Sequence, residues 1–162
     1  MARLPLAFVE NRGQWDAQAK YVARKRGMTA WLGRDRVTLR LTRREEEGEI
    51  AGVVVGLVFE GARESVAIEG EERLPGIWNF FLGDDPAKWR AEVPAYASVL
   101  YRGLREGVDL RIREEEGRLE YDLLLGPGAD VEGIAVRCEG IEGLEVEPDG
   151  SLAMATALGP IR

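Results

Sequence analysis

Val108 to Leu125 reads VDLRIREEEGRLEYDLLL. On either side of the charged middle, apolar residues recur at every second position: Val108, Leu110 and Ile112 before it, Leu119, Tyr121, Leu123 and Leu125 after it. A period of two marks a strand with one face in a core and one in water. The two runs therefore predict a hairpin. A turn at Glu115-Glu116 sets Ile112 opposite Leu119, Leu110 opposite Tyr121 and Val108 opposite Leu123, so that each apolar residue meets an apolar partner.

The same register has a consequence on the polar face. Arg111 falls opposite Glu120, a favourable cross-strand pair of about 0.2–1 kcal/mol. One step on, Asp109 falls opposite Asp122, which is costly unless a cation lies between them. Two opposed acids are the raw material of glycoside cleavage or of two arms of a calcium site. The structural alternative is that Arg102 or Arg105, just upstream, neutralises them. Calcium asks for more oxygen ligands than two side chains supply, and the chain has no Asp-x-Asp-x-Asp-Gly loop. Asp109, Arg111, Glu120 and Asp122 are thus the candidate binding residues, with no metal and no cofactor expected.

The alternation returns at Val37, Leu39 and Leu41, at Val53, Val55, Leu57 and Phe59, at Val66 and Ile68, and at Ile134, Val136 and Cys138. Glycine stands at nearly every break, and the breaks come about every 8 to 12 residues. No segment keeps apolar residues at helical spacing over three turns; the nearest, Asp16 to Val22, offers one. The pattern predicts an all-β chain: a two-sheet antiparallel β-sandwich of roughly 10–13 short strands with at most one or two short helical turns. Two more hairpins can be drawn in register. Arg26-Gly27 pairs Tyr21 with Leu32 and Ala23 with Ala30, and Glu147-Pro148-Asp149-Gly150 pairs Val146 with Leu152 and Leu144 with Met154.

The aromatic stretch Leu74 to Trp89, LPGIWNFFLGDDPAKW, admits two readings. Trp78, Phe80, Phe81 and Trp89 beside carboxylates could form a sugar platform. Alternation instead puts Trp78, Phe80 and Leu82 on one face and Ile77, Asn79 and Phe81 on the other, the pattern of a strand lying between two layers. Asp84 or Asp85 then caps a following turn, Pro86 takes its first position, and Trp89 folds back as a lid. The structural reading is preferred, because a platform needs exposed, coplanar rings.

Composition narrows the function. A chain of 162 residues that is 45% hydrophobic suits one domain, residues 1–162, with a core of its own. The net charge of -7 argues against nucleic acid and anionic membrane as main partners. The one basic run, Arg24-Lys25-Arg26, reads as a hairpin tip. No apolar stretch reaches the roughly 18 residues of a membrane span, so no membrane insertion is expected. The start, MARLPLAFVENRGQ, becomes polar too soon for a signal peptide. Zero histidines remove Ser-His-Asp and Cys-His chemistry and the usual zinc sites. Cys138 is the single cysteine, so no intramolecular disulfide forms, and its place on a strand face predicts a buried, inert thiol. Asn and Gln number only four together against abundant Arg and Glu, a skew found in proteins from hot environments and in GC-rich genomes.

FVENRGQ (Phe8 to Gln14), LPGIWNFFLGDDPAKWRAEVPAYASVLYRG (Leu74 to Gly103), GVDL (Gly107 to Leu110) and LEYDLLLGPGAD (Leu119 to Asp130) resemble, in order, the N-terminal domain of bacterial SBBP-repeat proteins. Those are large secreted or surface proteins in which this domain of unknown function precedes β-propeller-type repeats. The resemblance implies export, a removed leader and a chain continuing past Arg162; it supplies no catalytic residues. Phe80 stands where that family commonly has Tyr, and LRIREEEG after Asp109 is more charged than its usual strand. The ending LAMATALGPIR, a strand and then a Gly-Pro break, also suggests an element cut short, whose free edge could pair in a dimer. Two functions remain open. One is a non-enzymatic module of an exported surface protein, serving adhesion, docking or spacing, with other domains of its chain, surface proteins or glycans as partners. The other is a carbohydrate-binding or carboxylate-based glycoside-hydrolysing domain, and the placement of Trp15, Trp31, Trp78 and Trp89 discriminates them.

Overall fold

The computed structural model describes residues 5–46 and 48–162; Met1 to Leu4, the head of the amino-terminal apolar patch, lie outside the described residues. Along the chain the strands are β1 (Phe8–Glu10), β2 (Tyr21–Lys25), β3 (Met28–Leu32), β4 (Arg36–Arg44), β5 (Ile50–Phe59), β6 (Ala67–Arg73), β7 (Trp78–Phe80), β8 (Arg90–Val93), β9 (Ala95–Arg105), β10 (Val108–Glu115), β11 (Arg118–Leu125), β12 (Val136–Glu139), β13 (Gly143–Val146) and β14 (Leu152–Ala155). One 3-10 turn, Pro86–Lys88, is the only helical element among the described residues. The chain is all-β, as its period of two requires.

Ten strands form one sheet in the order β11-β10-β9-β1-β2-β3-β4-β5-β12, with β6 on β9; β7-β8 and β13-β14 are separate ribbons. The sheet forks at the long β9. Tyr96 faces Phe8 of β1 across one edge and Arg73 of β6 across the other, and Ser98 faces Arg113 of β10 and Glu71 of β6 in the same way. β1 and β10 therefore lie end to end along a single edge of β9. One arm is β6, β9, β10 and β11; the other runs from β1 to β12.

Each arm has one apolar face, and the sheet curls into a half-barrel that buries the two faces against each other. Phe8, Tyr21, Leu32 and Phe59 from one arm share a core with Val99, Tyr101, Leu110 and Ile112 from the other. Phe59 on β5 meets Tyr101 on β9 at 6.3 Å and Tyr121 on β11 at 6.1 Å between ring centroids, both edge-on. One continuous curled sheet thus stands where two separate packed sheets were expected, because β9 belongs to both arms.

Two hairpins have the expected register: Tyr21 pairs with Leu32, and Val146 with Leu152. The third is shifted by two residues. Ile112 pairs with Tyr121, Leu110 with Leu123 and Val108 with Leu125, so Asp109 faces Leu124 and Arg111 faces Asp122. The turn decides this. Glu116 and Gly117 adopt left-handed φ of 49° and 85°, the backbone of a two-residue hairpin loop whose second position favours glycine. A turn centred on Glu115-Glu116 would leave that position to a glutamate. Because the shift is even, each residue keeps its face of the sheet, while the cross-strand partners change on both faces.

The aromatic stretch does not lie between two layers. β7 keeps only Trp78–Phe80 and pairs with β8 alone, and a two-stranded ribbon at the margin of the sheet has a partner for one face. On that face Trp78 and Phe80 pack with Trp15 around Val9, Val93 and Ala95, a small second core. The other face is in solvent: Ile77 is 68% exposed and Phe81 60%. The turn chemistry is as expected, with Asp85 as the cap; its Oδ1 accepts from the Ala87 N–H at 3.0 Å and Pro86 opens the turn, while Asp84 stays exposed. Trp89 folds back and donates Nε1–H to the Gly83 carbonyl at 3.1 Å.

Cys138 shares the inward side of β12 with Val136 but is half-buried, not fully enclosed. β12 is the last strand of its arm and pairs only with β5, so one flank of the thiol has no neighbouring strand.

Candidate functional site

The outer face of the β6-β9-β10-β11 arm carries the residues singled out in the sequence. Arg111 reaches across β9 and grips Glu71 on β6, Nε to Oε2 at 2.7 Å and Nη2 to Oε1 at 3.2 Å. Glu71 also accepts from the Ser98 hydroxyl at 3.2 Å. The Arg111 hydrogen bonds are the main cause that holds the Glu71 carboxyl below its ordinary range, and the same contact raises Arg111. Arg113 donates to Asp122 at 2.7 Å and to Glu120 at 3.4 Å and is paired with Glu115 as well. Arg102 meets Glu69 at 3.4 Å.

Asp109 and Asp122 are not a dyad. Asp109 Oδ1 accepts from the backbone N–H of Gly103 at 2.6 Å, where Gly103 has φ of 66° and the β9-β10 ladder shifts register. Its carboxylate therefore supports a β-bulge. Asp122 belongs to Arg113, not to Arg102 or Arg105. The face is a lattice of alternating charge in which Glu69, Glu71, Glu115, Glu120 and Asp122 are bound to arginines and Asp109 to backbone. Among the described residues no three Asp, Glu, His or Cys side chains converge as metal ligands would.

The outer face of the other arm is built differently. Its cross-strand rows follow from the registers: Arg24, Thr29, Arg40 and Val54 form one, and Val22, Trp31, Thr38 and Gly56 the next. Arg24 lies over the Trp15 ring at 5.4 Å and Arg40 over the Trp31 ring at 5.5 Å. Arg24, Arg40 and Arg44 are exposed, and among the described residues none of them makes an ion pair. Acids reappear at the end of the face near β12, where Arg36 meets Asp35 at 3.5 Å and Glu139 at 3.3 Å, and Arg137 meets Glu60 at 2.6 Å. The basic run at the hairpin tip is divided by the same alternation. Lys25 turns to the inner side, pairs with Glu114 and donates to the Gly117 carbonyl at 3.1 Å, while Arg24 faces out.

Beside Trp31 opens a cleft of about 810 Å³, lined by Asp16, Lys20, Trp31, Arg34, Asp35 and Thr38 among others. Asn11 shapes one wall. Its Nδ2 donates to the carbonyls of Asp16 and Ala19, both at 2.7 Å, and its Oδ1 accepts from Gly13 N–H at 3.0 Å and Trp15 N–H at 3.3 Å. Gln14 fastens the same loop to the Glu10 carbonyl at 2.7 Å. The opposite wall is the Gly33–Arg36 turn, closed by Gly33 N–H to Arg36 O at 2.8 Å and anchored from inside by the Tyr101 hydroxyl, which donates to Gly33 O at 2.8 Å. Burial drives the Tyr101 hydroxyl pKa far up, with the charge of Asp35 adding to it, so the phenol stays a donor.

A family model described as Domain of unknown function (DUF7948) matches residues 8–162. The chain belongs to this family. No curated protein and no solved structure matches it.

In this DUF7948 domain the run from Phe8 to Gln14 makes strand β1 and then, through Asn11 and Gln14, the loop beside the cleft. The long aromatic run contributes to the second core and makes a capped turn. The structure brings Arg111 and Asp122 into register on one face with Glu120, and takes Asp109 away to the bulge. Sequence reasoning placed Arg24 only in a hairpin tip and Trp31 only among the discriminating tryptophans, and it passed over Arg40. The signal was present: in MTAWL, alternation turns Met28, Ala30 and Leu32 inward and leaves a tryptophan pointing to the polar side. That Arg40 covers this ring depends on the neighbouring strand and is not local information.

Proposed function

We propose that this DUF7948 domain is a non-enzymatic docking module of an exported bacterial surface protein, serving adhesion, attachment or spacing. Its partners would be other domains of its own chain, surface proteins or glycans. The two arms of the curled sheet act as the layers of a sandwich, which gives the module two broad, rigid outer faces. The resemblance of the FVENRGQ, LPGIWNFFLGDDPAKW and LEYDLLLGPGAD stretches to the N-terminal domain of SBBP-repeat proteins supports the exported setting.

The observation that carries the non-catalytic reading is the commitment of the carboxylates on the β6-β9-β10-β11 face. Glycoside cleavage needs one acid held protonated in an apolar pocket and a second at a fixed separation. Here Glu71, Asp122 and Glu120 are each bound to arginine on an open face, and the Arg111 contact lowers the Glu71 carboxyl rather than raising it. The tryptophans speak against stacked-sugar recognition in the same way. Trp15 and Trp31 have arginines over them, Trp78 is packed in the second core, and Trp89 meets Phe81 edge-on at 5.5 Å.

The test has two arms. Incubation with neutral and acidic polysaccharides is expected to leave their size distribution unchanged by gel filtration, and progressive shortening would overturn the non-enzymatic reading. Protease treatment of intact cells of the encoding organism is expected to release peptides of this domain; its recovery only after lysis would overturn the surface assignment.

A further inference from the structure

We propose that the outer face of β2–β5, continuing into the Trp31 cleft, binds an acidic polysaccharide through the guanidinium groups of Arg24 and Arg40. This rests on the reading of the domain as a docking module and names the chemistry of one of its partners. The face collects five exposed cations that make no ion pair among the described residues: Arg24, Arg40 and Arg44 on the strands, with Lys20 and Arg34 at the cleft. They do so in a chain whose net charge is -7 and whose other arm answers Arg102, Arg111 and Arg113 with carboxylates. The strand rows around Arg24 and Arg40 on β2–β5 contain Val22, Thr29, Trp31, Thr38, Thr42, Val54 and glycines. The acid nearest in these rows is Glu139 on β12, beside Gly56, and it is already held by Arg36 and Arg137.

Geometry selects the kind of anion. Arg24 and Arg40 stand on strands two apart, with Thr29 between them, so their Cα atoms are separated by roughly 10 Å. That separation suits acidic groups on alternate sugars of an extended chain. An indole beneath each guanidinium restricts the side chain while leaving its N–H edge free for a bidentate contact to carboxylate or sulfate. Thr38 and Thr42 offer hydroxyls along the same strand, and the cleft adds Asp16 and Asp35 for sugar hydroxyls. Nucleic acid fits less well. A duplex carries about one charge per 1.7 Å and would meet the full repulsion of an acidic protein, and single strands rely on free aromatic faces, which here have arginines over them. A sparsely charged uronate polymer meets less repulsion.

The probe is polygalacturonate, with neutral dextran and a dT20 oligonucleotide as comparisons, measured by calorimetry at low and moderate salt. Wild type is expected to bind polygalacturonate, more weakly as salt rises, and to ignore dextran. The Arg24→Gln/Arg40→Gln double variant should bind at least about tenfold more weakly, as the loss of two charge-assisted contacts requires. The Arg102→Gln/Arg111→Gln variant on the other arm should stay within about twofold of wild type, since those arginines are already neutralised. Absence of polygalacturonate binding, equal weakening by the two double variants, or tighter binding of dT20 would overturn the proposal.

A second measurement needs no variant. Phenylglyoxal modification of the wild-type protein, read by mass spectrometry, should be slowed at Arg24 and Arg40 by polygalacturonate and unchanged at Arg102. Equal rates with and without the polymer would also overturn it. Binding accompanied by shortening of the polymer would leave this site standing and sink the non-enzymatic reading instead.

Discussion

The two outer faces of the sheet carry arginine in similar positions and treat it in opposite ways. On the β6-β9-β10-β11 arm, Arg111 lies in Glu71, and Arg113 is shared by Asp122, Glu120 and Glu115. On the β1–β12 arm, Arg24 and Arg40 lie over Trp15 and Trp31 and pair with no carboxylate among the described residues. A guanidinium held between carboxylates has its hydrogen-bond donors occupied and its charge cancelled. A guanidinium over an indole is steadied but keeps its donors and its charge. The first face is chemically closed and contributes stiffness; the second is open toward an anion. Residue type alone therefore does not tell a structural arginine from an available one.

Both faces rest on one shared core, and a core substitution has the largest expected effect. Leu110 has no exposed surface and sits in the core shared by the two arms. Leu110→Ala should destabilise the protein by about 2–5 kcal/mol and lower the melting temperature in a single transition. Two separate transitions by circular dichroism would show arms that fold independently.

A smaller effect separates the faces by their response to pH. Glu71→Gln, Arg111→Gln and the double variant form a cycle whose coupling should be no more than about 1 kcal/mol, because both side chains are partly exposed and screened. The Glu71 carboxyl is lowered in the folded state. Its contribution is therefore fully present above the ordinary glutamate range and is lost as pH falls through the depressed folded value. Denaturant melts at acidic and neutral pH should show the coupling vanish in acid. No such acid loss is expected for Arg40→Gln, whose partner is an uncharged ring. An Arg111–Glu71 coupling that persists at low pH would erase the distinction.

The least effect belongs to Asp122→Asn. With Asp122 bound to Arg113, the substitution removes an ion pair and should lower the melting temperature slightly. Opposed aspartates would have given the reverse sign, through relief of repulsion. Millimolar calcium should leave both wild type and variant unchanged, since an ion that binds only the folded state raises stability by mass action. A calcium-dependent rise that disappears in the variant would return this face to the list of binding sites.

Much of the molecule was legible in the amino-acid order. Alternation identified the strands and sorted inward from outward residues, from Val37, Leu39 and Leu41 to Val108, Leu110 and Ile112. Gly27 and Gly150 located two hairpins in register, and Asp85-Pro86 marked its capped turn. These succeed because the deciding contacts are local. The β10-β11 register did not, since a pattern of period two is blind to a shift of two, and only the left-handed backbone of Glu116-Gly117 distinguishes the candidates.

The candidate site depended still more on tertiary structure. The partner of Arg111 is Glu71, 40 residues earlier, brought near because β9 pairs with β10 on one edge and β6 on the other. Whether the apolar faces of many strands make two sheets or one curled sheet was set by β9 serving both arms. By itself, then, the sequence determined which side faces the core along long strands such as β4 and β10. Only the fold decided what each wet side chain meets there, because those neighbours come from strands far away along the chain.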